Sequence, residues 1–388
     1  MALGIKKVSI VTITLSSMVV WIGFYAWRIM FNNFAVEVFD ASPTDVGLIQ
    51  AAREIPGLLA FGVGALALYL TESRIAALSI IAVGAGLFLC GVAPSLVVLG
   101  LATVLMSFGF HYFEPTNSSQ LLLLSKSENL GRAQGRLRSY ESMAGLIGAV
   151  IVLGLTLFLD FHTTFYIFGA AIIAIGLYLT VALPSNRTKT ENRKVKLSRK
   201  YMLYYSLSFL RGCRRHIFTT FAIFLLVKNH SLDITYVSVL MLANSLITIF
   251  THRWIGHISD KLGERVVLVG ASFILIFVFT GYAYITYLPL LLPLFLIDNA
   301  LFGSSIALKS YLRKIAPPED VTGCLSFGMT ANHITAVVIP IVGGVVWSMF
   351  GYKATFIAGA VIVLVDMLLA LKVPANGKLN EQIRAEMV

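Results

Sequence analysis

The segment GHISDKLGERVVL (256–268) is a short charged stretch between two long apolar runs of the chain. It holds two glycines, an aspartate and two basic residues, and the flanking runs cover approximately 235–255 and 266–287. Each run has about the 20 residues that a helix needs to cross the hydrocarbon core of a bilayer. The segment is therefore predicted to be a tight loop between two membrane-spanning helices.

The composition extends this pattern to the whole chain. Of the 388 residues, 57% are hydrophobic and 13% are charged, whereas soluble domains carry roughly 25% charged residues. Similar apolar runs recur throughout, and none has the polar face that a soluble domain requires. The chain is predicted to be an all-α, polytopic membrane protein with the lipid bilayer as a partner.

Proline, glycine and charge clusters divide the chain into twelve predicted spans. The polar stretch 184–200 separates six spans in residues 1–183 from six spans in residues 201–388, which end in a short tail. We interpret the first run as an uncleaved span rather than a signal peptide, because it has no small-residue cleavage site. The spans cover approximately 9–39, 46–70, 75–93, 95–124, 138–159, 164–183, 201–227, 235–255, 266–287, 289–311, 322–349 and 354–372.

The basic residues give an orientation. The formal net charge is +11, and most of the basic residues lie in alternate loops and in the stretch 184–200. This asymmetry is typical of loops on the cytoplasmic side of a membrane, so we do not interpret it as a nucleic-acid surface. Both termini are predicted to be cytoplasmic, in the plasma (inner) membrane if the protein is bacterial or archaeal.

A short internal repeat links the two halves. RIMFNNFAV (28–36) aligns with RHIFTTFAI (215–223), which pairs Arg28 with Arg215 and several apolar residues with one another. Both segments lie in the first span of their half. This indicates two six-helix bundles related by pseudo-two-fold symmetry.

The charged loop carries a family resemblance. It resembles the G-x-x-x-D-[RK]-x-G-[RKE]-[RK] loop of the major facilitator superfamily, with matches at Gly256, Asp260, Lys261, Gly263 and Arg265. The resemblance implies the major facilitator fold and a cytoplasmic gate at this loop. It also implies a secondary transporter that works as a monomer without a cofactor or metal, and not an enzyme.

Arginines inside the predicted spans indicate the substrate. An ionisable group at mid-membrane costs roughly 2.5–3.5 kcal/mol or more, so each is a candidate functional residue. Tyr25, Arg28 and Asn32 share one helix face in the first span. A guanidinium binds carboxylate or phosphate oxygens in bidentate geometry. In the seventh span the corresponding stripe consists of Arg211, Arg215 and Thr219.

The segment FYAWRIMFNNFA (24–35) is also similar to the first helix of the organophosphate:phosphate antiporters. That resemblance implies that Arg28 binds phosphate and that Arg211 or Arg215 supplies a second arginine. We therefore expect an organic or phosphorylated anion as the small-molecule substrate, held by Arg28 and Arg215. The alternative is that Arg28 only neutralises a buried carboxylate, Glu54 or Glu114.

Buried carboxylates are candidates for proton coupling. Desolvation favours the neutral form of a carboxyl group, so such a group can take up a proton during transport. Glu114 is the first candidate, followed by Glu54 and Asp298. His111 shares a face with Glu114, and a histidine satisfied within the core is its alternative interpretation. Further candidates for lining a cavity, or for hydrogen bonds between helices, are Asn299, Asn332 and His333.

Two other functions stay open at this stage. A proton-coupled exporter of multiple drugs or lipophilic cations would use Glu54, Glu114 and the aromatic residues as its cavity. A membrane enzyme or receptor is a more remote alternative, because the sequence has no nucleophile or metal-ligand spacing. Arg53 is expected at the end of its helix or among lipid headgroups.

Overall fold

The computed structural model describes residues 9–60, 63, 66, 69–124, 130–182, 199–316 and 318–375. These residues are almost entirely helical. Most of the predicted linker 184–200 and the tail from residue 376 lie outside the described residues, so the boundary between the predicted domains stays a prediction. The helices are α1 (Ile10–Phe39), α2 (Pro43–Leu58), α3 (Glu72–Gly91), α4 (Leu96–Leu124), α5 (Leu130–Thr156), α6 (Phe161–Ala182), α7 (Met202–His230), α8 (Ile234–Leu262), α9 (Glu264–Tyr284), α10 (Leu288–Leu301), α11 (Ser305–Ile315), α12 (Pro318–Phe350) and α13 (Tyr352–Ala370).

Nine membrane-crossing segments are present within the described residues, judged by length and apolar composition. One of them joins α10 and α11 through a short 3-10 turn at residues 302–304. The seventh predicted span, α7, is not among the nine. Its middle carries Arg211, Arg214 and Arg215, which lower its mean hydropathy.

Helix ends in the two halves have the same local geometry. The residue after α1, Asp40, and the residue after α7, Ser231, both adopt the left-handed conformation with φ of 48° and 50°. In each case the backbone N–H of that residue donates to a carbonyl in the last turns of its helix. Such left-handed C-caps satisfy carbonyls that the helix itself leaves free.

Each half also repeats the same packing order. In the first half α1 packs against α5 and α3 packs against α6, whereas in the second half α7 packs against α12 and α9 packs against α13. These pairs correspond when the spans are numbered from the start of each half. The repeat that was predicted from nine residues therefore extends to the packing of whole helices.

The chain divides into two compact units. The first comprises Met1–Ala41, Ala52–Glu191 and Leu232–Leu242. The second comprises Ser42–Ala51, Asn192–Ser231 and Ala243–Val388. The start of α2 therefore belongs to the second unit, where the hydroxyls of Thr44 and Ser348 lie 2.8 Å apart.

Candidate functional site

A polar stripe on α1 is the centre of the candidate site in the first unit. Tyr25, Arg28 and Asn32 are spaced three and four residues apart, so they share one helix face. The guanidinium carbon of Arg28 lies 5.9 Å from the centroid of the Tyr25 ring. The Arg28 side chain is half-buried and that of Asn32 is 4% exposed. The stripe is therefore enclosed by protein, with Arg28 still partly accessible.

Arg28 has neither of the carboxylate partners considered from the sequence. Glu54 forms an ion pair with Arg53, and Glu114 accepts a hydrogen bond of 3.1 Å from the indole N–H of Trp21. Among the described residues, no carboxylate lies within ion-pair distance of Arg28. A guanidinium held in protein without a carboxylate is costly, because part of its hydration is lost without compensation.

The neighbours of Arg28 on the stripe also have unused hydrogen-bonding capacity. Within the described part of the chain, the Tyr25 hydroxyl and the Arg28 guanidinium make no hydrogen bond, and the buried Oδ1 of Asn32 has no partner. Gly145 of α5 makes room for the Tyr25 ring, since a Cβ at that glycine would lie 2.8 Å from the ring atom Cζ. One helix face thus presents the donors of Arg28 and Tyr25 beside the amide of Asn32, whose Oδ1 is an acceptor.

A second polar cluster joins α2 to α4. The guanidinium of Arg53 contacts Glu54 and lies 5.7 Å and 5.4 Å from the ring centroids of Phe24 and Trp27. The other carboxylate oxygen of Glu54 is 4.0 Å from Nε2 of His111. Arg53 was expected at the end of its helix or among lipid headgroups; it lies in the last two turns of α2, where its side chain contacts Glu54 and the rings of Phe24 and Trp27. The aromatic faces and Glu54 hold it inside the first unit.

Aromatic rings surround one side of this region. The rings of Phe24 and Phe110 stack at a centroid distance of 4.5 Å, and Trp21 meets Phe110 edge-on at 5.1 Å. Trp21 also lies 6.0 Å from Tyr25. All four rings are half-buried, whereas the neighbouring Trp27 is 2% exposed. We call Trp21, Phe24, Tyr25 and Phe110 the aromatic wall.

The second unit neutralises most of its buried arginine charge. Nε and Nη2 of Arg211 donate to the two carboxylate oxygens of Asp366 at 3.2 Å and 3.0 Å. Nη1 of Arg211 donates to the Ser304 hydroxyl at 2.9 Å, and the Ser272 hydroxyl donates to Asp366 at 2.6 Å. This bidentate, hydrogen-bonded pair commits Arg211 to a contact within the unit.

The other two arginines of α7 reach the broken tenth span. Nη1 of Arg214 donates to Oδ1 of Asp298 at 2.7 Å. The guanidinium carbon of Arg215 lies 3.4 Å from the ring centroid of Phe302, in the turn at 302–304. The three arginines of α7 therefore all contact this span within two turns of its break.

The remaining cavity candidates are engaged in short-range contacts. The Thr219 hydroxyl and the Asn299 amide each donate to the carbonyl four residues earlier in their own helix. Oδ1 of Asn332 lies 3.4 Å from Nε2 of His216 on α7, and His333 is half-buried on α12. Asn332 therefore connects two helices of the second unit, which is one of the two roles expected for it.

The charged loop between α8 and α9 turns at a glycine. Gly263 has φ of 92°, a left-handed conformation that side chains other than glycine rarely adopt. Glu264 then accepts from Nζ of Lys314 at 2.7 Å and from the Ser310 hydroxyl at 2.8 Å. The contact that ties the loop to α11 comes from this glutamate, which the family pattern treats only as a tolerated variant.

The other matched positions of this loop surround that turn. Gly256 and Asp260 lie in the last turns of α8, and the surroundings of both residues fall outside what the structure describes. Lys261 is exposed and Arg265 is half-buried. The predicted role of this loop as a gate stays a prediction.

Asp366 was missed in the sequence-based site. It is the one acidic residue in the apolar span 354–372, and an intramembrane carboxylate is itself a signal of a buried partner. Its partner Arg211 was instead considered for substrate binding. Arg214 was likewise left out, because it lies beside the stripe that Arg211 and Arg215 share.

Comparisons with known proteins agree with this architecture. The family model described as Major Facilitator Superfamily matches residues 13–308 and, in a second match, residues 208–386. An uncharacterized MFS-type transporter of Methanocaldococcus jannaschii is 22% identical over 264 residues, or 64% of this chain. The chain covers 65% of that relative's length, slightly less than two thirds.

Solved structures show the same fold. A bacterial homologue of the human lysosomal transporter Spinster, inward-facing and unoccupied, superposes with a TM-score of 0.76 at 14% identity, covering 93% of this chain and 95% of that one. The nucleoside transporter NupG gives 0.75 at 16% identity, covering 94% and 98%. A bacterial homologue of the iron transporter ferroportin gives 0.75 at 13% identity, covering 94% and 99%.

These likenesses confirm the predicted fold class, an all-α membrane protein of the major facilitator type, although the count of twelve spans extends beyond the described residues. At such low identity the solved structures establish the fold alone. The family model covers most of the chain and carries the assignment. The chain belongs to the Major Facilitator Superfamily.

Proposed function

We propose that the protein is a secondary transporter that moves a small organic or phosphorylated anion by alternating access. Family membership and the membrane-crossing helices support the transporter class. The anionic substrate is supported by one observation above all, the Arg28 guanidinium that lacks a carboxylate among the described residues.

The argument from Arg28 is one of electrostatic compensation. Removing a guanidinium from water costs a free energy on the order of several kcal/mol, unless a counter-charge and hydrogen bonds replace the lost hydration. Arg211 and Arg214 receive that compensation from Asp366 and Asp298. Arg28 does not receive it within the described part of the first unit. In our proposal an anionic substrate supplies it during each transport cycle.

The stripe on α1 would bind the anion through several groups. Arg28 offers five N–H donors in a planar fork that matches a carboxylate or phosphate. The Tyr25 hydroxyl adds a donor, and the Asn32 amide adds a polar group one turn further along the helix. We propose these three residues as the substrate-binding set of the first unit.

In the second unit we propose Arg215 as the anion-binding arginine. Arg211 and Arg214 are fixed by aspartates, which favours structural roles for both. The Arg215 guanidinium lies against the Phe302 ring, and Arg215 is the residue that the internal repeat aligns with Arg28. Thr219, one turn further along α7, would flank the same anion.

The coupling ion is proposed to be a proton. Glu114 accepts a hydrogen bond from the indole N–H of Trp21, which joins it to the aromatic wall. Protonation there would change the charge beside the α1 stripe. Glu54 and His111 form a second candidate pair. Asp298 is a further candidate, and it forms an ion pair with Arg214.

A flux assay tests the proposed class. The full chain, reconstituted in proteoliposomes, should catalyse counterflow of at least one labelled anion from a set of carboxylates and phosphate esters. Arg28→Lys and Arg215→Lys should each reduce that flux by about tenfold or more, since a lysine cannot form the bidentate contact. Arg313→Lys, on an exposed side chain of α11, is the matched control and should behave as the unaltered protein.

Two results would reject this proposal. One is an absence of counterflow for every anion in the set. The other is anion flux that stays unchanged in both arginine variants, because the charge argument gives these residues the main role in binding.

A proton-coupled exporter of lipophilic cations is the second candidate. The observation in its favour is the aromatic wall beside Glu114, since aromatic faces attract cations. That function predicts flux of a lipophilic cation that Glu114→Gln abolishes and Arg28→Lys leaves intact. The anion transporter predicts the reverse dependence on Arg28.

We also propose that the protein acts as a monomer with both termini in the cytoplasm. The orientation follows from the distribution of basic residues between alternate loops. Labelling of single cysteines introduced beyond residue 376 with an impermeant reagent would test it in intact cells. Reaction without permeabilisation would contradict the orientation.

A further inference from the structure

We propose that the transported anion is an aromatic carboxylate, whose ring stacks on the aromatic wall while its carboxylate binds Arg28. This inference rests on the proposed function and specifies its substrate class. It depends on the rings of the first unit that are half-buried, on their continuity with the α1 stripe, and on the unused polar groups of that stripe.

The exposure of the rings is the first argument. Aromatic residues that serve only to fill the core of this unit are buried completely, as Phe31 and Phe34 are at 1% and 0% exposure. Trp21, Phe24 and Phe110 retain accessible surface although they lie in the same helices or next to them. The surface that these rings leave accessible is suited to contact with a planar apolar ligand.

Continuity between the apolar and polar groups is the second argument. Tyr25 belongs to both sets, since its ring lies 6.0 Å from Trp21 and 5.9 Å from the guanidinium carbon of Arg28. The Tyr25 ring therefore lies between the other rings of the wall and Arg28, so one ligand that carries both a ring and a carboxylate would meet both kinds of group. A compact phosphate ester would fill the polar part and leave the rings without a contact.

The wall is also held in a fixed arrangement. The indole N–H of Trp21 is anchored by Glu114, and Phe110 stacks on Phe24. Gly145 and Gly148 of α5 leave space for the Tyr25 side chain, since a Cβ at these glycines would lie 2.8 Å and 3.3 Å from its atoms. A preorganised surface loses less entropy when it binds a rigid ring.

A matched ligand series on the purified full chain tests the inference. Melting temperature would be measured against concentration for benzoate, cyclohexanecarboxylate, phenyl phosphate, glycerol phosphate and benzamide. A ligand that binds the folded protein raises the melting temperature by an amount that grows with the logarithm of its concentration relative to its dissociation constant. Benzoate should bind about threefold to tenfold more tightly than cyclohexanecarboxylate, which matches its charge and size but lacks a planar ring. Benzamide, which lacks the charge, should not stabilise the protein.

Two variants separate the ring from the hydrogen bond of Trp21. Trp21→Leu removes the ring and should abolish the preference for benzoate over cyclohexanecarboxylate. Trp21→Phe keeps a ring but loses the contact with Glu114, and should retain most of the preference. A preference that survives Trp21→Leu unchanged would overturn the assignment of the wall.

The outcomes distinguish this inference from the proposed function. Two results would overturn the aromatic substrate and leave the anion transporter standing, provided that binding still depends on Arg28. One is equal affinity for benzoate and cyclohexanecarboxylate. The other is tighter binding of glycerol phosphate than of benzoate. Failure of every anion to stabilise the protein, or stabilisation that Arg28→Lys does not reduce, would overturn both. Equal stabilisation by phenyl phosphate and benzoate would overturn the carboxylate while supporting the ring.

Discussion

At the scale of single residues, the arginines of α1 and α7 differ in the contacts that their guanidinium groups make. Arg211 and Arg214 each have an aspartate in direct contact. Arg28 lies beside a tyrosine ring, and Arg215 lies against a phenylalanine ring. Because Arg28 and Arg215 are also the pair that the internal repeat aligns, the two arginines held against rings occupy equivalent positions in the two halves.

The pair of Arg211 and Asp366 gives a stability prediction. Asp366→Asn should destabilise the folded protein by about 3–5 kcal/mol, because it leaves a buried guanidinium without its counter-charge. The measurement is thermal or denaturant unfolding of the purified protein in detergent. The double variant Arg211→Leu with Asp366→Leu should recover most of the lost stability, since it removes both charges.

An Asp366→Asn protein as stable as the unaltered one would show that Ser272 and Ser304 suffice to hold Arg211. The ion pair between Arg211 and Asp366 would then contribute less to the free energy of unfolding than predicted. A double variant less stable than Asp366→Asn would also contradict the prediction, because removing both charges should recover stability.

The sequence identified ionisable residues better than it identified their partners. Arg28, Glu114 and Asp298 were recognised because any ionisable group inside an apolar span stands out. Which carboxylate meets which arginine depends on the rotation and depth of separate helices, which a single sequence does not contain. Arg28 was therefore considered with Glu54 and Glu114, which make other contacts, and Asp366 was overlooked although it was visible by the same criterion.

At the scale of helices, close packing in the first unit depends on small residues. A Cβ on Gly86 of α3 would lie 2.6 Å from Cα of Met106 on α4. Real side chains do not approach a backbone so closely, so the two helices meet only because this position is a glycine. Gly270 of α9 contrasts with it, since a Cβ there would meet nothing within 4 Å.

These two glycines form a matched pair for mutation. Gly86→Ala should destabilise the protein by about 1–3 kcal/mol, since α3 and α4 must separate to admit the methyl group. Gly270→Ala should leave stability unchanged or raise it slightly, because alanine favours the helix and has free space. Unfolding of both variants in the same detergent measures the difference. Equal melting temperatures would mean that the α3–α4 contact is looser than the structure has it.

The apolar runs of the sequence predicted the positions of most helices closely. They did not predict breaks within a helix. The predicted spans 95–124 and 354–372 correspond to α4 at Leu96–Leu124 and α13 at Tyr352–Ala370. The predicted span 289–311 is instead divided by the turn at 302–304. That turn sits where Arg211 and Arg215 contact Ser304 and Phe302. Local composition does not report such tertiary contacts, so the break could not be predicted from the sequence.

At the scale of the whole molecule, the repeat was visible in nine residues and the fold family in one loop. Both were confirmed at a larger scale, by the equivalent packing order of the two halves and by the family model that covers most of the chain. The substrate cannot be predicted from the sequence in the same way, because it depends on the few side chains that differ between members of one fold. The charge and exposure of those side chains are the basis for proposing an anion.

The central claim is that Arg28 binds the anionic group of the substrate. Its most direct test is equilibrium binding of a labelled anion that stabilises the purified protein, compared between Arg28→Lys and the exposed control Arg313→Lys. The account predicts that Arg28→Lys weakens binding by about tenfold or more and that Arg313→Lys leaves it unchanged. Equal affinity in the two variants would contradict it.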